Sequence, residues 1–228
     1  MRRPAGDAAG KGRTVTNLAE KYRYVVVEGP IAVGKTSLAR LLAARLSAHL
    51  MLEDAQSNPF LERFYRTPER YAFATQMFFL FQRALQAGEL KQRDLFDSPT
   101  VADFLLDKDV LFARMNLADD EFDLYQRMYQ FLQPRTATPD LVIYLQAPAD
   151  VLIERVRRRG WTVERPISER YLREVADMYA EYFHNYEASP LLIVNSENLN
   201  FVDQPKDFDL LLERIGNLRS RREFFNRG

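Results

Sequence analysis

The stretch that decides the fold is Glu28-Gly29-Pro30-Ile31-Ala32-Val33-Gly34-Lys35-Thr36-Ser37. It contains the pattern G-x-x-x-x-G-K-T and follows the β-branched run Tyr24-Val25-Val26-Val27, which is typical of a parallel strand buried on both faces. Apolar residues then recur at helical spacing, at Leu38, Leu41, Leu42 and Leu46. Since Leu50-Met51-Leu52 predicts a second short strand, the sequence predicts a β-α-β unit.

Between a strand and a helix, this pattern predicts a loop that binds the phosphates of a nucleotide. Successive backbone N–H groups and the helix N terminus face a polyphosphate, Lys35 contacts its β- and γ-phosphates, and the Thr36 hydroxyl binds Mg²⁺. The loop residues predicted to contact ATP are Gly29, Pro30, Ile31, Ala32, Val33, Gly34, Lys35, Thr36 and Ser37. The alternative is a glycine-rich turn before a helix-starting Thr, against which the strand, the spacing and the Lys-Thr pair all argue.

The rest of the chain predicts strands that alternate with helices. Buried strands are predicted at 141–145 and 191–194, and helices at 150–159, 168–187, with Ser168 as N-cap, and 208–218. Residues 68–133 predict long helices with turns near Gly88, Pro99 and Asp119. This alternation predicts an α/β fold of the P-loop NTPase type, a parallel sheet wrapped by helices. We expect residues 1–20 to be a flexible leader and residues 21–228 to be a single domain.

Composition excludes several classes of function. The 228 residues carry 32 Lys and Arg against 32 Asp and Glu, so no excess positive charge attracts nucleic acid or an anionic membrane. There is no Cys and there are only two His, which excludes disulfides, thiolate nucleophiles and Cys-based or His-rich metal centres. The apolar runs are far shorter than a membrane helix, and we expect a cytoplasmic protein. Catalysis must therefore depend on carboxylates, Lys, Arg or hydroxyls.

Further motifs narrow the use of the nucleotide. A GTPase needs an N-K-x-D guanine-reading motif, which does not occur, and the D-x-x-G at residues 7–10 precedes the phosphate loop. The L-S-G-G-Q signature of transport ATPases is also absent from the sequence. A small kinase remains as the predicted class.

Several strings in the same order resemble the deoxynucleoside kinase family, in particular its bacterial deoxyadenosine and deoxyguanosine kinases. They are EGPIAVGKTSL, LMLED followed by NPFLERFY, YAFATQMFFLFQR, and PDLVIYLQAPADVLIERVRRRG, and the resemblance spans roughly residues 24–201. It implies Mg²⁺-dependent transfer of the ATP γ-phosphate to the 5′-hydroxyl of a deoxynucleoside, with a purine expected as the base. It also implies a role in nucleotide salvage and a homodimer formed through the long helices.

The resemblance also implies roles for particular residues. Glu53 corresponds to the carboxylate that takes the proton from the 5′-hydroxyl, with neighbouring Asp54 as its competitor. Asp103, after a third strand, is the expected Mg²⁺ ligand beside Thr36. The cluster of Arg155, Arg157, Arg158 and Arg159 lies where the family has a lid over the phosphates. Arg159 is the candidate for stabilising the transferring group and Arg155 a candidate nucleotide contact, whereas the alternative is a solvated basic helix face.

On the nucleoside side, Gln76 and Arg83 lie seven residues apart, which places them on one face of a helix. The resemblance implies that Gln76 reads the base edge, and that Arg83 contacts the base together with Asp109, or with Asp107 as the competitor. It further implies sugar contacts from Tyr65 and Glu164, and stacking of Phe112 on the base. Solvent exposure of the polar residues, or a core position for the aromatic ones, is the alternative.

Three positions depart from the family pattern. Phe104 stands where the family has an arginine at the 5′-oxygen and the catalytic carboxylate, and Trp161 replaces a second lid arginine. Ala32 replaces a usual glycine in the phosphate loop, a small change if its backbone keeps negative φ. These departures leave two alternatives, a kinase for another small alcohol and a nucleotide-binding protein without catalysis.

Overall fold

The computed structural model describes residues 18–92, 98–106, 108–132, 137–201 and 203–226. Its centre is a six-stranded sheet in which all neighbouring strands are parallel, with the order β2-β3-β1-β4-β5-β6. The strands are β1 Tyr24–Glu28, β2 His49–Met51, β3 Thr100–Ala102, β4 Leu141–Gln146, β5 Leu191–Asn195 and β6 Arg222–Phe225. The predicted α/β class with a parallel sheet is confirmed.

Helices cover both faces of this sheet. The α-helices are α1 Lys35–Leu46, α2 Leu61–Arg66, α3 Pro68–Gln92, α4 Lys108–Asn116, α5 Asp119–Leu132, α6 Ala149–Arg159, α7 Glu169–His184 and α8 Pro205–Gly216. Short 3₁₀ turns lie at Ala55–Ser57 and Thr162–Glu164. Among the described residues, no helix combines the length and apolar character that a bilayer span requires.

Side chains that alternate along each strand form two hydrophobic clusters, one on each face of the sheet. Val25 and Val27 of β1 face a cluster that includes Leu38 of α1, whereas Tyr24 and Val26 face the opposite cluster. The second cluster includes aromatic residues of α7 and apolar residues of α3. Burial of apolar area on both faces explains why the strands read as continuous hydrophobic runs.

The sheet topology brings the polar ends of three strands together. Strand β1 lies between β3 and β4. Strands β2 and β3 lie on one side of β1 and strands β4 to β6 lie on the other, so the strand order reverses direction at β1. In open parallel sheets, ligands bind at such a switch point, beyond the carboxyl ends of the strands. At this edge lie Glu28 at the end of β1, Glu53 just after β2 and Asp103 just after β3.

The predicted turn at Gly88 is wrong, because α3 continues through this residue to Gln92. A glycine inside a helix costs only about 1 kcal/mol relative to alanine, and the neighbouring Ala87 and Leu90 are buried in the second cluster. Tertiary packing therefore outweighs the local preference. The turn before Asp119 is confirmed, and Pro99 lies in an irregular segment that leads into β3.

The structure differs from the sequence prediction near both ends of the chain. Residues 18–21 are helical and Leu18 is buried in the first core cluster, so the expected leader does not extend to residue 20. Residues 1–17 lie outside the described part of the chain. At the other end, β6 extends the sheet beyond the strand predicted to be the last. Ser168 caps α7 as predicted, since its hydroxyl accepts a hydrogen bond from the Tyr171 N–H.

Candidate active site

A cavity of about 560 Å³ opens at the carboxyl edge of the sheet. It joins the phosphate loop to a pocket between α2, α3, α4 and the segment after α6. The predicted site residues that line it are Ile31, Ala32, Lys35, Thr36, Ser37, Glu53, Tyr65, Gln76, Asp103, Asp109, Phe112, Arg159 and Glu164. One continuous cavity thus contains residues predicted for the nucleotide, for the metal and for the acceptor.

The phosphate loop depends on two glycines. A Cβ atom on Gly29 would collide with the backbone carbonyl of Leu145, so no side chain fits where the loop leaves β1. Gly34 has a φ of 110°, a conformation that favours glycine, and it leads into α1. Within the described chain no side chain caps the N terminus of α1, which leaves its first N–H groups available to an anion.

Lys35 folds back onto this loop. Its ammonium group donates hydrogen bonds to the carbonyl oxygens of Gly29, at 2.7 Å, and Pro30, at 3.0 Å. Burial lowers the pKa of Lys35 below its usual value, although nearby carboxylates, chiefly Glu28, oppose the shift. The lysine is therefore held at the mouth of the loop, where the phosphates of a bound nucleotide would lie.

Ala32 departs from the expectation of a negative φ. Its φ is 63°, which lies in the left-handed region that favours glycine. The loop therefore has a backbone conformation suited to glycine, although the residue here is alanine. The steric penalty for such a residue is roughly 1–2 kcal/mol. The phosphate loop therefore carries local backbone strain.

Thr36 and Asp103 meet although they are distant in sequence. The Thr36 hydroxyl donates to one carboxylate oxygen of Asp103 at 2.6 Å, and the other oxygen accepts from the Glu53 backbone N–H at 2.7 Å. Asp103 is buried and so fixes the end of β2 beside the phosphate loop. Hydroxyl and carboxylate oxygens are donors that suit Mg²⁺.

Glu53 and its competitor Asp54 have different surroundings. The Glu53 carboxylate points into the cavity and pairs with Arg83 and Lys108. Burial alone would raise the pKa of Glu53, but Lys108 and Arg83 outweigh it and hold the pKa well below its usual range. Asp54 is exposed and accepts a hydrogen bond from the Ser57 N–H at the start of a 3₁₀ turn. The geometry therefore favours Glu53 as the site carboxylate.

Sequence reasoning missed Lys108. Its ammonium donates to Glu53 Oε2 at 2.7 Å and lies 3.8 Å from Glu28 Oε2. Burial disfavours the charge, but Glu28 and Glu53 outweigh this and raise the pKa of Lys108. The signal available in the sequence was a lysine at the first position of a helix, where a cation opposes the helix dipole and needs a carboxylate partner.

Arg83 and Asp109 form a buried pair behind the cavity. The Arg83 side chain is wholly buried, contacts Glu53, and places Nε 3.6 Å from Asp109 Oδ1. Burial raises the pKa of Asp109 to about 6, although Arg83 and Lys108 oppose the shift. Asp109 lines the cavity, but Arg83 does not, so Arg83 contacts site carboxylates rather than the open space. Asp107 lies outside the described residues.

The remaining acceptor residues line the same end of the cavity. Gln76 is buried with its side chain at the cavity wall, and Phe112 packs edge-on against Tyr179 with ring centres 6.0 Å apart. Burial raises the pKa of Tyr65, whose ring packs against Tyr171. Thr75 was not predicted. This residue also lines the cavity, and its buried hydroxyl has no hydrogen-bond partner among the described residues.

The end of α6 and the residues after it line the cavity where the sequence predicts a lid. Arg159 pairs with Glu164, and its guanidinium stacks on the Trp161 ring, 4.0 Å from the ring centre. Both partners line the cavity, so Trp161 orients the arginine that remains. Arg155 lies elsewhere, because it donates to the carbonyl oxygens of Val33, at 3.2 Å, and Ser196, at 2.7 Å, on the outer side of the loop. It supports the loop from behind and does not line the cavity.

A protein-family model matches the part of the chain that contains these residues. The model described as deoxynucleoside kinase matches residues 25–219, which is most of the chain. The chain belongs to the deoxynucleoside kinase family. The resemblance drawn from the sequence motifs, and the enzyme class it implied, are thereby confirmed.

Individual family members resemble the chain over nearly their whole length. A deoxyadenosine kinase from Lactobacillus acidophilus is 31% identical over 217 residues, covering 86% of this chain and 99% of that protein. A deoxyguanosine kinase from Bacillus subtilis is 29% identical over 200 residues, covering 86% and 97%. The solved structure of deoxyadenosine kinase from M. mycoides with dCMP and a flexible dCDP superposes with a TM-score of 0.74 at 21% identity, covering 86% of this chain and 100% of that one. This superposition supports the fold.

Proposed function

We propose that this kinase transfers the γ-phosphate of ATP to the 5′-hydroxyl of a purine deoxynucleoside. The observation that carries the proposal is the convergence of Lys35, Glu53 and Asp109 in one cavity. Lys35 belongs to the phosphate loop, Glu53 lies between the two ends, and Asp109 lies at the acceptor end. The similarity to deoxyadenosine and deoxyguanosine kinases supports a purine acceptor.

The geometry suits an in-line transfer. Glu53 accepts the proton of the 5′-hydroxyl as the 5′-oxygen forms a bond to the γ-phosphorus. The bond from that phosphorus to the bridging oxygen breaks, and ADP leaves with the bond's electrons. Lys35 and Arg159 stabilise the negative charge around the transferring group. Phosphoryl transfer depends mainly on alignment and charge neutralisation, and the buried ion pairs with Arg83 and Lys108 contribute to alignment by fixing the Glu53 carboxylate.

We propose Mg²⁺ as the metal, held by Thr36 and Asp103. Among the described residues no cluster of three or more His, Asp or Glu side chains forms a complete metal cage. A hydroxyl and one carboxylate are nevertheless the donor set with which Mg²⁺ is held beside substrate phosphates and water. When bound there, Mg²⁺ neutralises charge on the β- and γ-phosphates.

The acceptor end supports recognition of a nucleoside. Gln76 offers an amide that both donates to and accepts from a base edge, and Asp109, held by Arg83, adds a carboxyl group. The face of Phe112 suits stacking on a base. Tyr65 and Glu164 lie on the side of the lid and are proposed to bind the sugar hydroxyl. Buried polar groups of this kind reject acceptors that leave them unpaired.

We also propose a homodimer that works in the cytoplasm, where ATP is available. Helices α3 and α5 pack against each other and expose large apolar side chains. The exposed fractions are 48% for Phe81, 72% for Leu85, 49% for Leu124 and 81% for Phe131. Apolar surface of this kind marks an interface, which supports the dimer implied by the family resemblance.

Phe104 and Trp161 motivate one alternative, a kinase for another small alcohol. Phe104 is buried, and the Arg83 guanidinium stacks 4.4 Å from its ring centre, so the residue after Asp103 brings no charge to the 5′-oxygen. The alternative requires that the acceptor pocket does not bind a deoxynucleoside. The polar residues at the acceptor end argue against it.

The test is acceptor-dependent release of ADP. Purified protein with ATP and Mg²⁺ is assayed with each of the four deoxynucleosides, with a panel of small alcohols and with no acceptor. We expect release with deoxyadenosine or deoxyguanosine, loss of the reaction on chelation of Mg²⁺, and its loss in Lys35→Ala. Release with another alcohol alone overturns the substrate, and no release with any acceptor overturns the kinase function.

A further inference from the structure

Lys108 is a buried cation in direct contact with the proposed proton acceptor. Its ammonium lies 2.7 Å from Glu53 Oε2, and only 5% of its side chain is exposed. It lines the cavity beside Glu53. A charged hydrogen bond of this length fixes the direction in which a carboxylate presents its oxygens.

A positive charge at the position of Lys108 is unfavourable unless nearby carboxylates compensate for it. It is the first residue of α4, where the helix dipole opposes a positive charge, and it is removed from water. Glu53 and Glu28 compensate for both effects. Glu28 is itself fully engaged, since it accepts from the N–H groups of Gly29 and Leu105 and from the Tyr179 hydroxyl. The cation therefore matters most to Glu53.

Arg83 alone does not define the orientation of Glu53. It pairs with one carboxylate oxygen of Glu53 but is shared with Asp109 and with the Gln86 side chain. Lys108 holds the other oxygen of Glu53. The two cations approach from α3 and α4 and so restrict rotation of the carboxylate.

We propose that Lys108 is the positioning residue for Glu53 and supplies, from the start of α4, the cation that Phe104 does not supply after β3. This inference rests on the proposed function, because it assigns a partner to the proton acceptor of that reaction. Lys108 keeps the Glu53 carboxylate directed into the cavity before the acceptor binds. Its loss leaves the nucleotide end of the site intact.

The test compares three variants. Lys108→Met removes the charge, Lys108→Arg keeps it, and Lys206→Met makes the same removal at an exposed lysine of α8. We expect kcat of Lys108→Met to fall by about tenfold or more, with KM for ATP within about twofold of wild type. Lys108→Arg should keep at least about five times the kcat of Lys108→Met, and Lys206→Met should match wild type.

Coupling to Glu53 separates positioning from a purely structural role. If Lys108 acts through Glu53, the double variant Glu53→Gln/Lys108→Met is slower than Glu53→Gln by no more than about twofold. A structural role predicts a lower melting temperature, an unchanged kcat and independent effects in the double variant. Lys108→Gln, which keeps a hydrogen-bond donor, replaces Lys108→Met with the same expectations if the latter does not fold.

The outcomes distinguish this inference from the function on which it rests. Wild type that phosphorylates no deoxynucleoside overturns the proposed function. Active wild type with a folded Lys108→Met variant whose kcat is unchanged overturns the role of Lys108 and leaves the function in place. Additive losses in the double variant also overturn it.

Discussion

At the scale of single residues, neighbouring carboxylates are separated by what surrounds them. Glu53 lies between two buried cations and faces the cavity, whereas Asp54, one residue later, is exposed and caps a 3₁₀ turn. Both residues line the cavity, but the Glu53 carboxylate pairs with Arg83 and Lys108, whereas the Asp54 carboxylate accepts a hydrogen bond from the Ser57 N–H. The chemical difference between the two residues thus arises from their partners.

Glu53→Gln should therefore lower kcat by on the order of 10²-fold or more, because the amide keeps the size of the side chain but not its ability to accept a proton. The nucleoside KM should change little. Steady-state ADP release measures both. Asp54→Asn is the matched control and should remain within about threefold of wild type, since Asn also caps a turn. If Glu53→Gln kept the kcat of wild type and Asp54→Asn were inactive, Asp54 rather than Glu53 would be the proton acceptor.

Asp109 makes the free energy of unfolding depend on pH, and the direction of this dependence follows from its raised pKa. Burial raises the pKa of Asp109 from its usual 3.8 to about 6, so between these pH values the folded protein binds a proton that the unfolded chain releases. The contribution of Asp109 to stability is therefore present at low pH and lost as pH rises through about 6. Asp109→Asn removes this pH-dependent contribution to stability.

The free energy of unfolding, measured with denaturant at pH 5 and pH 7, should reveal the effect. The difference between wild type and Asp109→Asn should shift in favour of wild type by about 1 kcal/mol on going from pH 7 to pH 5. A difference that does not change with pH would mean that Asp109 titrates normally. Asp123→Asn, on the exposed face of α5, is the control for the effect of the substitution itself.

At the scale of elements, long-range pairing decides which segments belong to the sheet. Strand β6 is half-buried and pairs with β5 over Leu191 to Val194. Arg222 also donates to the carbonyl oxygens of His184 and Tyr186, both at 2.7 Å, and so ties the strand to the end of α7. The C-terminal segment is therefore part of the domain.

A chain that ends after Ser220 should lose on the order of 3 kcal/mol of stability, because the hydrogen bonds between β5 and β6 and the contacts of Arg222 disappear. The exposed edge of β5 should also promote aggregation. Denaturant unfolding and light scattering measure the two effects. A chain that lacks only residues 227–228 is the control and should match wild type. Equal stability of both truncations would show that β6 contributes little.

At the scale of the whole molecule, the exposed apolar faces of α3 and α5 argue for association. Phe81 and Leu85 are four residues apart and lie on one face of α3. Light scattering should report a dimer for wild type and a monomer for Phe81→Asp/Leu85→Asp, because two buried charges make the interface unfavourable. Leu210→Asp, at an exposed apolar residue of α8, should leave the dimer intact. A monomeric wild type contradicts the proposal.

The sequence by itself determined those features whose residues are close together along the chain. The phosphate loop, its strand and its helix lie within residues 24–46, and their type is set by local residue spacing. The buried strands were recognisable for the same reason, because apolar runs covered on both faces need no knowledge of their neighbours. The order of motifs was enough to recognise the family.

Only the tertiary structure decided features that depend on residues distant in sequence. The contact of Lys108 with Glu53 spans 55 residues and was not predicted, and the contact of Thr36 with Asp103 spans 67 residues and was implied only by the family resemblance. No local pattern predicts such pairs, since they arise where parallel strands end at one edge of a sheet. Burial of Leu18, continuity of α3 through Gly88 and the addition of β6 likewise follow from packing, which outweighs weak local preferences.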